Sequence, residues 1–228
     1  MTAFFGFIAH NGSVRHLLGV CLSVVALLSL GATAAQAPPS APELARQVQT
    51  HYNTVRDFTA DFTHTYRGGA LKQTFNERGD VRVKKPGRMY WNYTAPDKKE
   101  FISDGSKIYS YLIADKIAYV TNMPPGNEAP TAVLFLTGRG DVTRDFTPSV
   151  PSVQLDGQWE LDLVPKSSQP DFVSLKLLVD RKSFALRGLV SVDPQGGTAA
   201  FTFTNLRENV GLTDNQFVFK PPKGVEIR

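Results

Sequence analysis

Cysteine occurs once in these 228 residues, at position 21. Cys21 sits inside an apolar run, Leu17 to Leu30, that reads as part of a removable leader. Disulfides, thiolate nucleophiles and cysteine-ligated metals are therefore excluded from the remainder of the chain. Histidine is scarce as well. Beyond the leader only His51 and His64 occur, on different predicted elements and with no carboxylate at a ligand spacing, so no metal site is expected. A G-x-S-x-G nucleophile elbow is missing: Ser103-Asp104-Gly105-Ser106 reads as a hairpin turn in which Asp104-Gly105 supplies positive φ angles. Gly138-Arg139-Gly140 follows a predicted helix rather than a strand, which argues against a phosphate loop. No catalytic residue and no cofactor is expected from this inventory. Long apolar runs are also lacking: Leu17 to Leu30 falls short of the ~20 residues that span a bilayer core.

What the N-terminal stretch does contain fits a secretory signal. Arg15 and His16 precede the apolar run, and Gly31-Ala-Thr-Ala-Ala-Gln-Ala37 follows it with small residues spaced A-x-A. Cleavage after residue 34 or 37 fits. The earlier cut is favoured, because the later one leaves Pro38 as the first residue. The expected organisation is a signal at 1–34, an Ala/Pro/Ser linker at 35–41 and a single domain at 42–228. Arg15 is the leader's one basic residue among the chain's 25 Lys+Arg, which leaves 24 against 21 Asp+Glu, net +3. Basic residues gather at Arg82, Lys84, Lys85, Arg88, Lys98 and Lys99. They read as solvated strand faces or as a docking surface for acidic partners or headgroups. No motif points to nucleic acid.

After the linker, Ser40-Ala-Pro-Glu43 fits a capping box. Leu44, Val48, Tyr52 and Val55 then recur at spacings of four and three, one apolar stripe on a helix of about four turns. Strands follow. Phe58, Ala60, Phe62 and Tyr66 alternate with polar residues, and Gly68-Gly69 and Arg78-Gly79 are read as turns. The alternation resumes at Trp159-x-Leu161-x-Leu163, Val173 to Val179, Leu186 to Val192 and Phe201-x-Phe203, and Phe217-x-Phe219 closes the series. That makes 11 or 12 strands joined mostly by short turns, an antiparallel meander. Residues 122–157 break the pattern. Within them, residues 129–136 read as a short helix, ended by Gly138 and apolar nearly all round at Val133, Leu134, Phe135 and Leu136.

The most informative segment is 81–120. Val81, Val83, Met89, Trp91 and Tyr93 share one strand face by parity, and Lys85 falls on that same face. An aromatic stripe of this kind is ordinarily core. Here many strands compete to fill one side while two short helices cover it, a geometry that leaves room for an internal cavity.

The order Lys84-Lys85-Pro86-Gly87-Arg88, then Trp91, Tyr93, Pro96, Ile102-Ser-Asp-Gly105 and Tyr109-x-Tyr111 resembles the LolA family of periplasmic outer-membrane lipoprotein carriers. The tail, Phe201 to Asn205 and Phe217-x-Phe219-x-Pro221-Pro222-x-Gly224-Val225, is similar to that family's last strands. The resemblance runs from about Leu44 to Ile227. It implies a mainly β (α+β) fold, an incompletely closed antiparallel barrel with helices as a lid over an apolar cavity. It also implies a monomeric carrier in the periplasm that receives acylated lipoproteins from an inner-membrane ABC lipoprotein-releasing complex and delivers them to an outer-membrane lipoprotein receptor. On this reading Phe62, Val81, Val83, Met89, Trp91 and Tyr93 line the acyl-chain cavity. Leu44, Val48, Tyr52 and Val55, with Val133, Leu134, Phe135 and Leu136, form the lid. The family places an arginine before the strand-opening proline to hold the lid, and Lys85 stands there instead, expected to donate to carbonyls between Ala129 and Arg139. Alternatives are a carrier or sensor of another envelope lipid on the same fold, and, much less favoured, an exported hydrolase.

Overall fold

The computed structural model describes residues 39–68, 73–123, 136–138, 140–168 and 171–228. Everything below concerns the unit Pro38–Arg228. Its first element, α1 (Ala41–Thr54), buries Leu44, Ala45, Val48 and Tyr52 along the stripe that the spacing requires, with Val55 buried just past its end. The capping box does not form. Ser40 is the N-cap residue, but its side chain makes no capping bond. The Glu43 carboxylate, which in such a box would turn back to the Ser40 N–H, accepts instead from Arg46 Nη2 at 2.6 Å and Gln47 Nε2 at 2.8 Å.

The chain then builds β1 (Asp57–Arg67), β2 (Thr74–Lys84), β3 (Arg88–Ala95), β4 (Lys99–Asp104), β5 (Lys107–Leu112) and β6 (Ile117–Asn122). A short helix, α2 (Val142–Asp145), precedes β7 (Phe146–Ser149), β8 (Gln158–Pro165), β9 (Ser174–Asp180), β10 (Leu186–Val192) and β11 (Thr198–Glu208). A 3₁₀ turn, Asp214–Phe217, leads to β12 (Glu226–Ile227). Among the described residues these strands form one sheet in the order β12-β6-β5-β4-β3-β2-β1-β11-β10-β9-β8-β7, whose ends do not pair with each other. Two antiparallel meanders, β1–β6 and β7–β11, are joined where β1 pairs with β11 (Phe62↔Phe203, His64↔Phe201). The result is the expected mainly β, incompletely closed antiparallel barrel, with one parallel pairing of β12 on β6.

Four readings change in detail. Arg78-Gly79 is not a turn but the middle of β2, with Gly79 opposite Phe62. A Cβ on Gly79 would lie 1.9 Å from Asn92 O, so close backbone approach, not turning, selects glycine there. β7 was hidden within the irregular stretch. Its Pro148 lacks an N–H, which an edge strand tolerates. Phe217 is buried in the 3₁₀ turn rather than on a strand, and the last strand is β12. At the β4–β5 hairpin only Gly105 takes a positive φ, +99°. Asp104 contributes its carboxylate, which accepts from the N–H groups of Ser106 and Lys107 at 2.8 Å.

Candidate functional site

The predicted cavity row becomes one contiguous apolar wall because strand register sets its members side by side. Val81 lies opposite Trp91, Val83 opposite Met89, and Gly79 bridges Phe62 and Tyr93. All six named residues are buried. Phe62 meets Trp91 edge-on at 5.1 Å and Tyr93 at 4.9 Å between ring centroids. Phe201 and Phe203 of β11 complete the wall, with Trp91–Phe201 at 5.2 Å. Their period-2 alternation was visible in the sequence. Their position beside Trp91 depends on the β1–β11 pairing, which is not.

The stripe of α1, the first of the two expected lid segments, belongs to the same cluster. Leu44, Val48, Tyr52 and Val55 fall into one buried hydrophobic cluster with the six wall residues and with Leu136. α1 packs on α2, β7 and β8, and Gln49 Oε1 fixes α2 by accepting from Val142 N at 2.8 Å. Asp141 caps α2 through the N–H groups of Thr143 and Arg144, and Arg144 pairs with Asp145 at 2.6 Å. Of the second predicted lid segment, Val133, Leu134 and Phe135 lie outside the described residues, whereas Leu136 is buried against the core.

Lys85 stands where α1, the β2–β3 turn and residues 136–138 converge. Its Nζ donates to Tyr52 O and lies 3.4 Å from the centroid of the Tyr52 ring, a cation–π contact. The acceptor is therefore on α1, not a carbonyl of 136–138. The remaining positions of the expected acceptor segment, up to 135 and 139, are outside the described residues. Resemblance matches Lys85 to the second helix, but the end of α1 is nearer because the backbone of Lys85 is itself tied to the loop that follows that helix: Lys85 N donates to Arg56 O at 2.8 Å. The 136–138 segment joins through neighbours. Tyr52 Oη donates to Leu136 O at 2.6 Å, and Gly87 N donates to Thr137 O at 3.1 Å. Gly138, at φ +73°, lets the Lys85 stem pass: a Cβ there would lie 2.5 Å from Lys85 Cδ. Burial pushes the Lys85 amine down to about 8, with Glu208 pulling it partly back.

The basic residues of 82–99 include several that are engaged by partners. Asp214 pairs with Lys84 at 2.6 Å and with Arg88 at 3.2 Å, and Arg82 lies over the Tyr90 ring. The two histidines each face a carboxylate that sequence spacing concealed: His51 meets Glu208 and His64 meets Glu77, both at 3.0 Å. Lys99 Nζ donates to the other oxygen of Glu77 at 2.6 Å and lies 4.6 Å from the centroid of the Tyr93 ring. Burial lowers the His64 pKa, opposed by its bond to Glu77. For Glu77, burial pushes upward, but the bonds from Lys99 and His64 together hold the carboxyl below its ordinary value.

The apolar sheet wall and the stripe of the amphipathic helix thus share one buried cluster, with the Lys85–Tyr52 tie at its edge. The sequence matches the family described as "Outer membrane lipoprotein carrier protein LolA" over residues 53–220. The outer-membrane lipoprotein carrier protein of Chromohalobacter salexigens is 28% identical over 208 residues, covering 90% of this chain and 94% of its own. That of Legionella pneumophila (strain Corby) is 28% identical over 184 residues, covering 80% and 88%. Among solved structures, an uncharacterized conserved protein from Thermus thermophilus shares the fold, with a TM-score of 0.50 at 14% identity over 82% of this chain and 96% of that one. With most of its domain inside the family match and relatives covered nearly end to end, this chain belongs to the LolA family of outer membrane lipoprotein carrier proteins.

Proposed function

We propose that the chain is a periplasmic lipoprotein carrier. It is exported by the leader at 1–34, receives acylated lipoproteins from an inner-membrane ABC lipoprotein-releasing complex, holds their acyl chains against the wall of Phe62, Val81, Val83, Met89, Trp91 and Tyr93, and passes them as a monomer to an outer-membrane receptor lipoprotein. The observation that carries this reading is that the stripe of α1 and the sheet wall occupy one buried cluster, joined by the Lys85–Tyr52 tie. Such a helix fills the cavity when cargo is absent and yields to it when cargo arrives.

Magnitudes favour the exchange. Burying the four α1 side chains contributes on the order of 10 kcal/mol. A triacylated cargo of about 40 methylenes, at ~0.8 kcal/mol each, gains on the order of 30 kcal/mol by leaving water. Cargo therefore displaces the lid. Lid closure returns part of that energy at delivery, which lowers the barrier to release onto a receptor.

The test is mass spectrometry of the protein purified from the periplasm of cells that export it. Acylated N-terminal peptides should co-purify and should move to outer-membrane acceptor when the complex is mixed with receptor. Recovery of only non-peptidic lipids would favour a carrier of another envelope lipid, and recovery of no acylated species after crosslinking would overturn the reading.

A further inference from the structure

The inner face of β1 runs from apolar to polar. Phe58, Ala60 and Phe62 are buried apolar residues. His64 follows, then Tyr66, whose hydroxyl donates to Asp193 Oδ2 at 3.3 Å. From Phe58 to His64 the strand covers about 20 Å. One leaflet of a bilayer, half of a ~30 Å hydrocarbon core, holds acyl chains about 15 Å long. A chain of that length laid along this row from Phe58 ends between Phe62 and His64, short enough of the ring for the group that follows it to reach the rim.

His64 is held in a defined state. The Glu77 carboxylate, bound also by Lys99, can only accept, so Nδ1 carries the proton and donates to it. Phe201 stacks on the ring, 4.2 Å between centroids and 3° from parallel, fixing its plane. The opposite nitrogen, Nε2, is buried with no hydrogen-bond partner among the described residues. With Nδ1 protonated and the ring neutral, Nε2 is an unpaired acceptor, and an unpaired buried acceptor is costly until a donor reaches it. His64 is also among the residues that line a cavity of about 530 Å³, with Tyr66, Phe75, Glu77, Pro96 and Lys99.

We propose that His64 Nε2 accepts a hydrogen bond from an amide N–H at the junction of acyl chain and polypeptide in the cargo, making the rim around His64, Glu77 and Lys99 a subsite for N-acylated peptides. This rests on the carrier reading and adds to it. The wall holds hydrocarbon of any origin, whereas the rim distinguishes a lipopeptide from a lipid that lacks the N–H. Discrimination by a site built to pair with one hydrogen bond amounts to about tenfold or more.

Binding of an N-palmitoylated tetrapeptide should be compared with that of the same peptide carrying an ester oxygen in place of the amide N–H next to the acyl group. The parent protein should bind the amide about tenfold more tightly. His64→Phe retains an aromatic ring beside Phe201 and removes the acceptor, so the preference for the amide over the ester should fall within about twofold. In Glu77→Gln, the new amide can accept from Lys99 through its oxygen and donate to Nδ1. That moves the proton to Nε2 and turns the acceptor into a donor, so the amide preference should vanish or invert without loss of folding. Equal binding of both probes by the parent, or an undiminished preference in either variant, overturns the subsite alone. Binding of neither probe by the parent overturns the carrier reading together with it.

Discussion

Replacing Lys85 by methionine separates a desolvated tie from an ordinary surface amine. The folded-state value of about 8 lies below the 10.5 of the free side chain. Between these values the unfolded chain binds more protons than the folded one, so this group makes stability rise with pH. At about 1.4 kcal/mol per tenfold change in proton affinity, the gain between about pH 7.5 and 9.5 is on the order of 2 kcal/mol. Partial exposure of the side chain trims it to about 1–2 kcal/mol. Methionine retains a stem beside Gly138 and does not titrate. At neutral pH it forfeits the charged-donor bond to Tyr52 O, about 1.5–3 kcal/mol, and the cation–π contact, about 0.5–2 kcal/mol. It also avoids burying a charge, about 2 kcal/mol after the same allowance for partial exposure. These terms partly cancel, so the neutral-pH stability of the variant should lie within about 2 kcal/mol of the parent, and the pH slope is the sharper readout. Urea unfolding of both proteins across the window should show the parent gaining about 1–2 kcal/mol on the variant, or ~3–6 °C in Tm. The window stops below pH ~10 because burial raises the hydroxyl pKa of Tyr52 and Tyr93, and above that point the unfolded chain loses tyrosine protons that the folded chain keeps. Parallel profiles for parent and variant would show that Lys85 is not held out of water, and the reasoning about the tie would fail.

Three further outcomes are expected. Gly79→Ala should cost at least about 3 kcal/mol in urea unfolding, since its Cβ would meet Asn92 O at 1.9 Å and Phe62 Cζ at 2.9 Å. A change within about 0.5 kcal/mol would show that β2 and β3 are not that close. Trp91 is 9% exposed and packed edge-on against Phe62 and Phe201, so in a Trp159→Phe background its emission should change on binding of an acylated peptide; an unaltered spectrum at saturation would remove it from the cavity wall. N-terminal sequencing of exported protein should begin near Ala35, and an intact segment 1–30 in the membrane fraction would refute the leader.

Local pattern was enough to define most of the strands and the first helix. Alternation at 81–93 and 159–163, and the four-and-three spacing of Leu44, Val48, Tyr52 and Val55, report which face each element buries, because side-chain direction repeats every two residues in a strand and every 3.6 in a helix. The wall residues Met89, Trp91 and Tyr93 and the position of Lys85 on their face were legible for the same reason. Partners distant in sequence were not. That β1 lies against β11, that His64 meets Glu77 and Lys99, and that Phe201 stacks on His64 all follow from pairing strands across the sheet, over as much as about 150 residues of chain for β1 and β11, which no local spacing encodes. The acceptor of Lys85 belongs to the same class: resemblance suggested the second helix, and packing brought the end of α1 to it. Gly79 shows the limit from the other side. Read alone, a glycine after an arginine signals a turn; in the folded sheet it is the residue small enough for β2 to pass Asn92, because tertiary approach, not local backbone preference, decides what a side chain would strike.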